Sequence, residues 1–176
     1  PSPTSEAADP NHLRYFEFVG RMLGKAVYEG IVLDVPLADF FVLKLLARPA
    51  SVDELPSLDP GLAQNLDFLK KYDGDVESDL CLTFSVDDEE FGKRITRDLK
   101  DGGRCVAVTG DNRIEYVHLV ADYRLNQQVA QQSKAISHGM HAVVPPGWLR
   151  LFNRPELRKP PSNATYTHGP LRPPCL

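Results

Sequence analysis

The chain has 176 residues, of which 42% are hydrophobic, and this allows one sizeable domain or two small ones. Its formal net charge of −4 argues against nucleic acid as a partner, because phosphate binding requires clustered lysine and arginine. No apolar run approaches a membrane span, so no membrane partner is expected. The three cysteines form no motif, which favours a reducing compartment, the cytoplasm and also the nucleus.

Residues 1–10 are polar and proline-rich, and they are predicted to form a disordered leader without a secretory signal. The most apolar stretch of the chain follows at Leu13–Leu46. Its first part carries two stripes at helical spacing, which predict a helix buried on most of its circumference. One stripe is Leu13, Phe16, Leu23 and Val27, and the other is Tyr15, Val19, Met22 and Ala26.

Glycines give this predicted helix two further properties. Gly20 and Gly24 lie one turn apart, so another helix can approach closely there, and Gly30 is placed to end the helix. Pro36 then suits the first turn of a second helix, whose apolar residues are Leu37, Phe40, Phe41 and Leu45.

The next segment begins with two signals for the start of a helix. Ser51–Glu54 has the spacing of a capping box, and Asp59 followed by proline is typical of the start of a longer helix. One face of that longer helix is apolar and consists of Leu62, Leu66 and Leu69. An acidic loop is expected after it, at residues 73–79.

Alternating residues indicate a small sheet. Apolar and polar residues alternate from Leu80 to Val86, which predicts a strand with one buried face. A second extended segment is predicted at Arg104–Val108, and the two could pair. The pattern of Phe91–Lys100 fits a helix and a strand equally.

The longest predicted helix runs from Asn112 to His138, and Gly139 is expected to end it. A short helix that contains Trp148, Leu149, Leu151 and Phe152 is expected to follow. Residues 158–176 contain several prolines and little apolar periodicity, so they are predicted to form an unfolded tail.

No residue pattern predicts a metal or cofactor site. Acidic residues alternate at 73–79, yet Ser78 stands where a calcium loop needs glycine, and Phe84 stands where it needs glutamate. His138 and His141 have no neighbouring cysteine or carboxylate that would complete a zinc site.

Four segments of the chain resemble the HECT-type ubiquitin ligases. They are YFEFVGRMLGKAVYEGIVLDVPLADFF at residues 15–41, LTFSV at Leu82–Val86, DLKDGGRCVAVTGDN at Asp98–Asn112 and YVHLVADYRLN at Tyr116–Asn126. Their joint order is highly specific to this family. The resemblance is strongest to the ubiquitin-protein ligase E-three B and C branch.

This resemblance implies a mostly helical α+β fold that corresponds to part of the family's amino-terminal catalytic lobe, at residues 11–157. A small α/β subdomain, residues 51–108, would be inserted in a helical part and would dock a ubiquitin-conjugating enzyme. The implied partners are that enzyme charged with ubiquitin, ubiquitin itself and the protein substrates of a full-length ligase. No cofactor is implied.

The family transfers ubiquitin through a cysteine in a pattern like L-P-x-x-x-T-C, and this chain contains no such pattern. Cys81 and Cys105 lie in segments similar to the first lobe, and both are expected to be buried thiols. Cys175 follows Arg172-Pro-Pro instead of threonine. The chain is therefore expected to be inactive alone. It would recruit conjugating enzyme for a ligase, sequester that enzyme without catalysis, or be a non-functional truncated product.

The resemblance also implies a groove for the conjugating enzyme, formed by Leu62, Leu66, Leu69, Tyr72, Leu80, Leu82, Tyr116 and Val120. The alternative interpretation is that Leu62, Leu66 and Leu69 form an ordinary core stripe, and the residue pattern alone favours it. With the resemblance included, Leu66 and Tyr116 are expected to face the groove, and the other residues stay open between the two interpretations.

Overall fold

The computed structural model describes residues 2–31, 37–46, 48, 50–90 and 92–149. Most of this part of the chain is helical and a two-stranded sheet completes it, so the predicted α+β fold is confirmed. Its regular elements are α1 (Ser5–Ala8), α2 (His12–Tyr28), α3 (Asp39–Leu45), α4 (Pro60–Lys71), α5 (Val76–Leu80), β1 (Ser85–Glu90), β2 (Lys93–Asp98), α6 (Arg113–Asp122), α7 (Ala130–His141) and α8 (Pro146–Leu149).

The chain divides into two compact units. One combines the described residues of Pro1–Ala50 and Val129–Leu176, and the other is Ser51–Gln128. The second unit begins at Ser51, where the inserted subdomain is expected to begin, and it continues past Val108. Helix α6 therefore belongs to the same compact unit as α4 and the sheet.

In the first unit, α2 packs against α7 with almost no side chain between the two backbones. A Cβ atom added at Gly20 would lie 2.0 Å from the carbonyl oxygen of Ile136, and one added at Gly139 would lie 2.0 Å from that of Glu17. At Gly24 a Cβ atom would lie 2.9 Å from a third carbonyl oxygen, also on α7. Only glycine permits this approach, which confirms the close helix contact predicted from Gly20 and Gly24.

A glycine also ends α2. Gly30 has a positive φ of 67°, the Ile31 amide donates to the Ala26 carbonyl at 2.8 Å, and the Gly30 amide donates to the Val27 carbonyl at 3.2 Å. These two hydrogen bonds satisfy carbonyl groups that would otherwise have no partner at the end of the helix. The left-handed conformation of Gly30 makes both bonds possible. The predicted role of Gly30 is confirmed.

Helix α2 buries one side only, so the prediction of burial on most of its circumference is wrong. Leu13, Phe16 and Leu23 are half-buried, whereas Tyr15 and Met22 of the second stripe are 60% and 54% exposed. The physical reason is that α7 covers a single face of α2. Helical spacing shows that two stripes exist, but it does not show how many neighbours cover them.

The segment before α2 is held by buried polar side chains. Gln132, which is 5% exposed, donates from Nε2 to the Ser2 carbonyl at 3.3 Å and to Ser5 Oγ at 3.2 Å. Ser5 Oγ also lies 2.9 Å from Nδ1 of the buried His12. Because a buried amide needs acceptors, this segment supplies them, and its helical turn α1 differs from the expected disordered leader.

Helix α3 supplies much of the core of the first unit. Phe40, Phe41, Val42, Leu43 and Leu45 are each at most 4% exposed. The element confirms the predicted second helix from Asp39 onwards. Leu37, which the sequence pattern predicts within the helix, lies before its start, and Pro36 lies outside the described residues.

Both predicted helix starts in the second unit are confirmed. Ser51 and Glu54 form a reciprocal capping box at a 3₁₀ helix, Val52–Ser57, and the Ser51 amide donates to Glu54 Oε2 at 2.7 Å. Asp59 then caps α4, which begins at Pro60. Such caps satisfy amide groups that have no partner within the helix.

The acidic segment after α4 is partly helical, not a simple loop as predicted. Asp75 Oδ1 accepts hydrogen bonds from the amides of Glu77 at 3.1 Å and Ser78 at 3.4 Å, and this caps α5. Val76 is 2% exposed and anchors the turn from its inner side. The segment is therefore helical despite its acidic composition, because the carboxylate of Asp75 caps the start of the helix.

The sheet lies further along the chain than predicted. β1 pairs with β2 in an antiparallel register that places Ser85 opposite Asp98. The ambiguous segment Phe91–Lys100 thus contains a strand. Between Leu80–Val86 and Arg104–Val108, the predicted pairing is reduced to a single bridge, because residues up to Leu80 belong to α5 and a 3₁₀ turn occupies Gly103–Cys105.

The predicted helix Asn112–His138 is divided into α6, a π-helical turn at Tyr123–Gln127, and α7. The Gln128 amide donates to the Tyr123 carbonyl at 2.9 Å. The two residues are five apart in the chain, whereas the partners in an α-helix are four apart. Gly139 does not end α7, which continues to His141 and uses this glycine for its contact with α2.

The last described element, α8, contains Trp148 and Leu149 of the predicted short helix, and Leu149 is 1% exposed. Leu151, Phe152 and the predicted tail 158–176 lie outside the described residues. Among the described helices, none has the length and apolar character needed to cross a membrane.

Candidate functional site

Helix α4 carries three of the predicted docking residues. Its start is fixed by Asp59, whose Oδ1 accepts a hydrogen bond from the Leu62 amide at 2.9 Å. Leu66 and Leu69 are 5% and 3% exposed, and Leu62 is half-buried. Because α4 packs against the 3₁₀ helix and α6, this stripe contributes to the core of the second unit.

Helix α6 carries Tyr116 and Val120, which are 8% and 2% exposed. The Tyr116 ring meets Phe84 edge-on, with centroids 5.6 Å apart and planes at 89°, and its burial raises the pKa of its phenol. The expectation that Tyr116 and Leu66 face the groove stays a prediction, and their burial favours the alternative interpretation of a core stripe. In this structure both side chains lie in the core of the unit.

The remaining predicted residues are half-buried and lie closer to solvent: Leu62, Tyr72, Leu80 and Leu82. The Tyr72 hydroxyl donates to Asp79 Oδ2 at 2.8 Å, and this hydrogen bond raises the pKa of the phenol. The guanidinium of Arg113 donates to the Tyr72 carbonyl at the end of α4. Tyr72 is therefore fixed both by its ring hydroxyl and by its backbone.

Phe68 is an exposed aromatic side chain that the sequence-based list of docking residues omits. Its ring is 59% exposed and its centroid lies 5.4 Å from that of Tyr72. Phe68 lies outside the stripe of Leu62, Leu66 and Leu69. A large apolar residue on the polar side of an amphipathic helix is the sequence signal that could have identified Phe68 as a docking residue. Phe68 and Tyr72 together form an aromatic pair at the surface of α4.

A second cluster surrounds a buried carboxylate, that of Asp88 on β1, which is 7% exposed. It accepts hydrogen bonds from the Tyr123 hydroxyl, from Arg124 Nη1 at 3.1 Å and from Gln128 Nε2 at 3.1 Å. Arg97 Nε lies 3.6 Å away. Burial, together with the bond to Asp88, raises the pKa of Tyr123 to about 12.

This cluster explains the π-helical turn. A π-helix has more residues per turn than an α-helix, so residues five apart come closer to one side of the axis. Tyr123 and Gln128 are five apart, and both reach Asp88. The carboxylate is engaged by protein donors on both oxygens, which makes it a structural anchor of the second unit.

Two thiols differ from their predicted burial. Cys81 and Cys105 are both exposed and free, so the prediction of buried thiols is wrong. Cys81 has a positive φ of 48° at the end of α5, and its Sγ lies 3.5 Å from the Ser78 carbonyl. In the part of the chain that the structure describes, no group of histidine, cysteine and acidic residues could hold a metal ion.

The sequence of the chain matches a known protein family and several of its members. The model of the HECT-domain (ubiquitin-transferase) family matches residues 1–162. Human "Ubiquitin-protein ligase E3B" is 47% identical over 164 residues, which cover 90% of this chain and 15% of the human protein.

A plant protein and a fungal protein give matches of the same kind. "E3 ubiquitin-protein ligase UPL6" of Arabidopsis thaliana is 42% identical over 158 residues, covering 90% of this chain and 15% of the plant protein. "Probable E3 ubiquitin-protein ligase hulA" of Aspergillus fumigatus is 38% identical over 149 residues, covering 85% of this chain and 18% of the fungal protein. The chain thus spans less than a fifth of the length of these relatives.

Proposed function

Because the chain belongs to the HECT-domain family of ubiquitin transferases, we propose that it supplies the surface that recruits a ubiquitin-conjugating enzyme to a ubiquitin ligase. The conjugating enzyme would arrive charged with ubiquitin, and a full-length ligase would pass that ubiquitin to protein substrates. We assign recruitment to the expected subdomain, residues 51–108, together with α6 of the same compact unit.

The observation that supports this proposal is the aromatic pair at the surface of α4. Binding energy between proteins is usually concentrated in a few large side chains, among which aromatic residues are prominent. Phe68 is more than half exposed, and Tyr72 beside it is held by Asp79 and Arg113, so the pair presents rigid apolar area to a partner. Leu62, Leu80 and Leu82 are half-buried members of the predicted groove. They would provide further apolar contacts to the conjugating enzyme, in addition to those of the aromatic pair.

Alanine substitution of the aromatic pair tests the proposal. Phe68→Ala and Tyr72→Ala should each weaken binding of a conjugating enzyme about 30-fold, which corresponds to about 2 kcal/mol for a truncated anchor. The thermal melting temperature should change little for Phe68→Ala, because its ring is already largely in water. Calorimetric titration of a panel of conjugating enzymes, with melts on the same samples, provides both measurements.

The matched control is Phe18→Ala. Phe18 has the same side chain and is 61% exposed, but it lies on α2 in the other compact unit. This variant should bind the conjugating enzyme as the parent chain does. Unchanged affinity in both Phe68→Ala and Tyr72→Ala, with the parent chain binding measurably, would disprove the assignment to α4.

The compartment is proposed to be the cytoplasm, and also the nucleus. Cys81 and Cys105 are exposed and unpaired, and exposed free thiols favour a reducing environment. Fluorescence microscopy of a tagged chain tests this, and accumulation in a secretory organelle would contradict it.

A further inference from the structure

Strand β2 is an open edge of the two-stranded sheet. All of its residues are exposed except Ile95, which is half-buried. It pairs with β1 along one side, and among the described residues no strand pairs with its other side. An edge strand of this kind can accept a further strand, because its outward amide and carbonyl groups lack a partner.

The register identifies the backbone groups that face outward. The Leu99 amide donates to the Phe84 carbonyl at 2.9 Å, so the backbone of Leu99 faces β1. Residues of an antiparallel strand alternate between facing their partner strand and facing away from it. Arg94, Thr96 and Asp98 therefore present their amide and carbonyl groups on the open side of β2.

These three residues carry a self-complementary order of charges. They run from a cation through a neutral residue to an anion, and their side chains share one face of the sheet, because side chains alternate along a strand. When two copies of β2 lie antiparallel with Thr96 opposite Thr96, Arg94 of each copy lies opposite Asp98 of the other. Charged side chains usually block an edge strand, but opposite charges that face each other stabilise a strand pair.

Other registers of the same pairing are less favourable. Shifting the two strands by two residues in one direction places Lys93 opposite Arg97, and shifting them in the other direction places Arg97 opposite itself. Like charges directly opposite each other destabilise a strand pair. The register centred on Thr96 avoids both conflicts, so the sequence of β2 selects it.

The ion pairs within one chain are compatible with this arrangement. Arg94, whose side chain is 78% exposed, pairs with Asp87, and Asp98 accepts a hydrogen bond from Arg104 Nε at 3.0 Å. A guanidinium has more N–H donors than one carboxylate uses, and a carboxylate accepts from more than one donor. Across two copies the charges would alternate from Asp87 to Arg94, and then to Asp98 and Arg104 of the second copy.

We propose that β2 pairs with β2 of a second copy of this chain and joins the two hairpins into one four-stranded antiparallel sheet. A second copy is the occupant because the charge order of β2 matches its own reverse. An extended segment of another protein has no such built-in match. The contact between two short strands buries little area, so the dimer is weak and its population rises with concentration.

Sedimentation velocity of the full chain over a range of concentrations tests the proposal. The mass of the parent chain should rise with concentration towards that of a dimer. Arg94→Asp and Asp98→Arg should each weaken self-association at least about tenfold, because either change places like charges opposite each other at both ends of the contact.

An equimolar mixture of these two variants should associate as the parent chain does. One chain then carries only carboxylates at positions 94 and 98, and the other carries only guanidinium groups, so every facing pair is again of opposite charge. Loss of folding in the variants could not produce this recovery.

The matched control is Arg21→Asp, which makes the same charge change at an arginine that is also exposed and paired with a carboxylate, but on α2 in the other compact unit. It should self-associate as the parent chain does. Thr96→Pro removes an outward amide and no hydrogen bond between β1 and β2, so it should stay folded by circular dichroism and lose self-association.

Three results would overturn the proposal. The first is a parent chain that stays monomeric at every concentration. The second is self-association of Arg94→Asp or of a folded Thr96→Pro that equals that of the parent, because another surface would then be the contact. The third is a mixture of Arg94→Asp and Asp98→Arg that does not regain association.

Discussion

At the scale of single residues, burial separates side chains that the sequence treats alike. Leu66 and Phe68 lie two positions apart on α4 and are both large and apolar, yet they are 5% and 59% exposed. One contributes to the core and the other can contact a partner. The role of each therefore depends on which neighbour covers it.

Leu66→Ala should mainly destabilise the chain. Removing most of a buried leucine side chain lowers the free energy of unfolding by about 2–5 kcal/mol. The loss combines the free energy of transferring the removed methyl groups out of water with the cost of the cavity that remains. Phe68→Ala on the same helix should change stability by about 0.5 kcal/mol or less. Urea unfolding measures both free energies. A stable Leu66→Ala chain that has lost its affinity for a conjugating enzyme would instead assign Leu66 to the groove.

Tyr123 should make stability depend on pH in the alkaline range. Its pKa rises from 10.0 to about 12 on folding, so the fold favours the neutral phenol. The associated stability is fully present below pH 10 and is lost as pH rises towards 12, and its magnitude is at most about 2 kcal/mol because solvent screens part of the interaction. Urea unfolding between pH 8 and 12 should show this loss in the parent chain.

The control for this prediction is Tyr123→Phe, which removes the ionisable group and keeps the ring. The variant should be less stable at neutral pH by about 1 kcal/mol, because Asp88 loses a donor. Its stability should fall less steeply above pH 10 than that of the parent chain. Identical pH profiles for the two proteins would show that Tyr123 does not titrate in this way.

At the scale of elements, the contact between α2 and α7 is set by glycine. Ala at position 20 would gain about 1 kcal/mol of helix propensity. However, its Cβ atom would lie 2.0 Å from the Ile136 carbonyl oxygen, so the two helices must separate. Gly20→Ala is expected to destabilise the chain by about 1–3 kcal/mol, as other overpacked substitutions do.

Urea unfolding of Gly20→Ala and of a control, Gly147→Ala, would test this contact. A Cβ atom at Gly147 in α8 meets nothing within 4 Å, so that variant should be as stable as the parent chain or slightly more stable. Stabilisation by Gly20→Ala would show that α2 and α7 are not in backbone contact.

At the scale of the whole molecule, the proposed recruitment of a conjugating enzyme does not require this chain to transfer ubiquitin itself. No cysteine of this chain stands in the pattern that the family uses for transfer, although Cys81 and Cys105 are accessible. Exposure alone does not make a nucleophile, because a thiol also needs a base or a positive charge to form the thiolate. Recruitment without a covalent step is the expected behaviour of this chain.

A transfer assay checks that expectation. With charged conjugating enzyme, the chain should form no reducible ubiquitin adduct on a non-reducing gel, while a full-length HECT ligase run in parallel should form one. The double variant Cys81→Ala, Cys105→Ala should behave as the parent chain does. An adduct that the double variant abolishes would show that these thiols accept ubiquitin.

The sequence by itself determined the features that depend on local chemistry. The capping residues Ser51 and Asp59, the left-handed Gly30 and the small residues Gly20 and Gly24 act through their own backbone, so their roles follow from residue type and spacing. The family resemblance also rests on residue order alone, and the comparisons confirm it.

Only the tertiary structure decided the features that depend on partners distant in the chain. The outer stripe of α2 is exposed because α7 covers only one face of the helix. β1 forms its backbone hydrogen bonds with β2, and not with the segment Arg104–Val108 that the alternating pattern suggested as its partner. The long predicted helix is interrupted where Tyr123 and Gln128 reach the buried carboxylate of Asp88. Periodicity predicts that a residue belongs to a face, but the neighbour that covers that face comes from elsewhere in the chain.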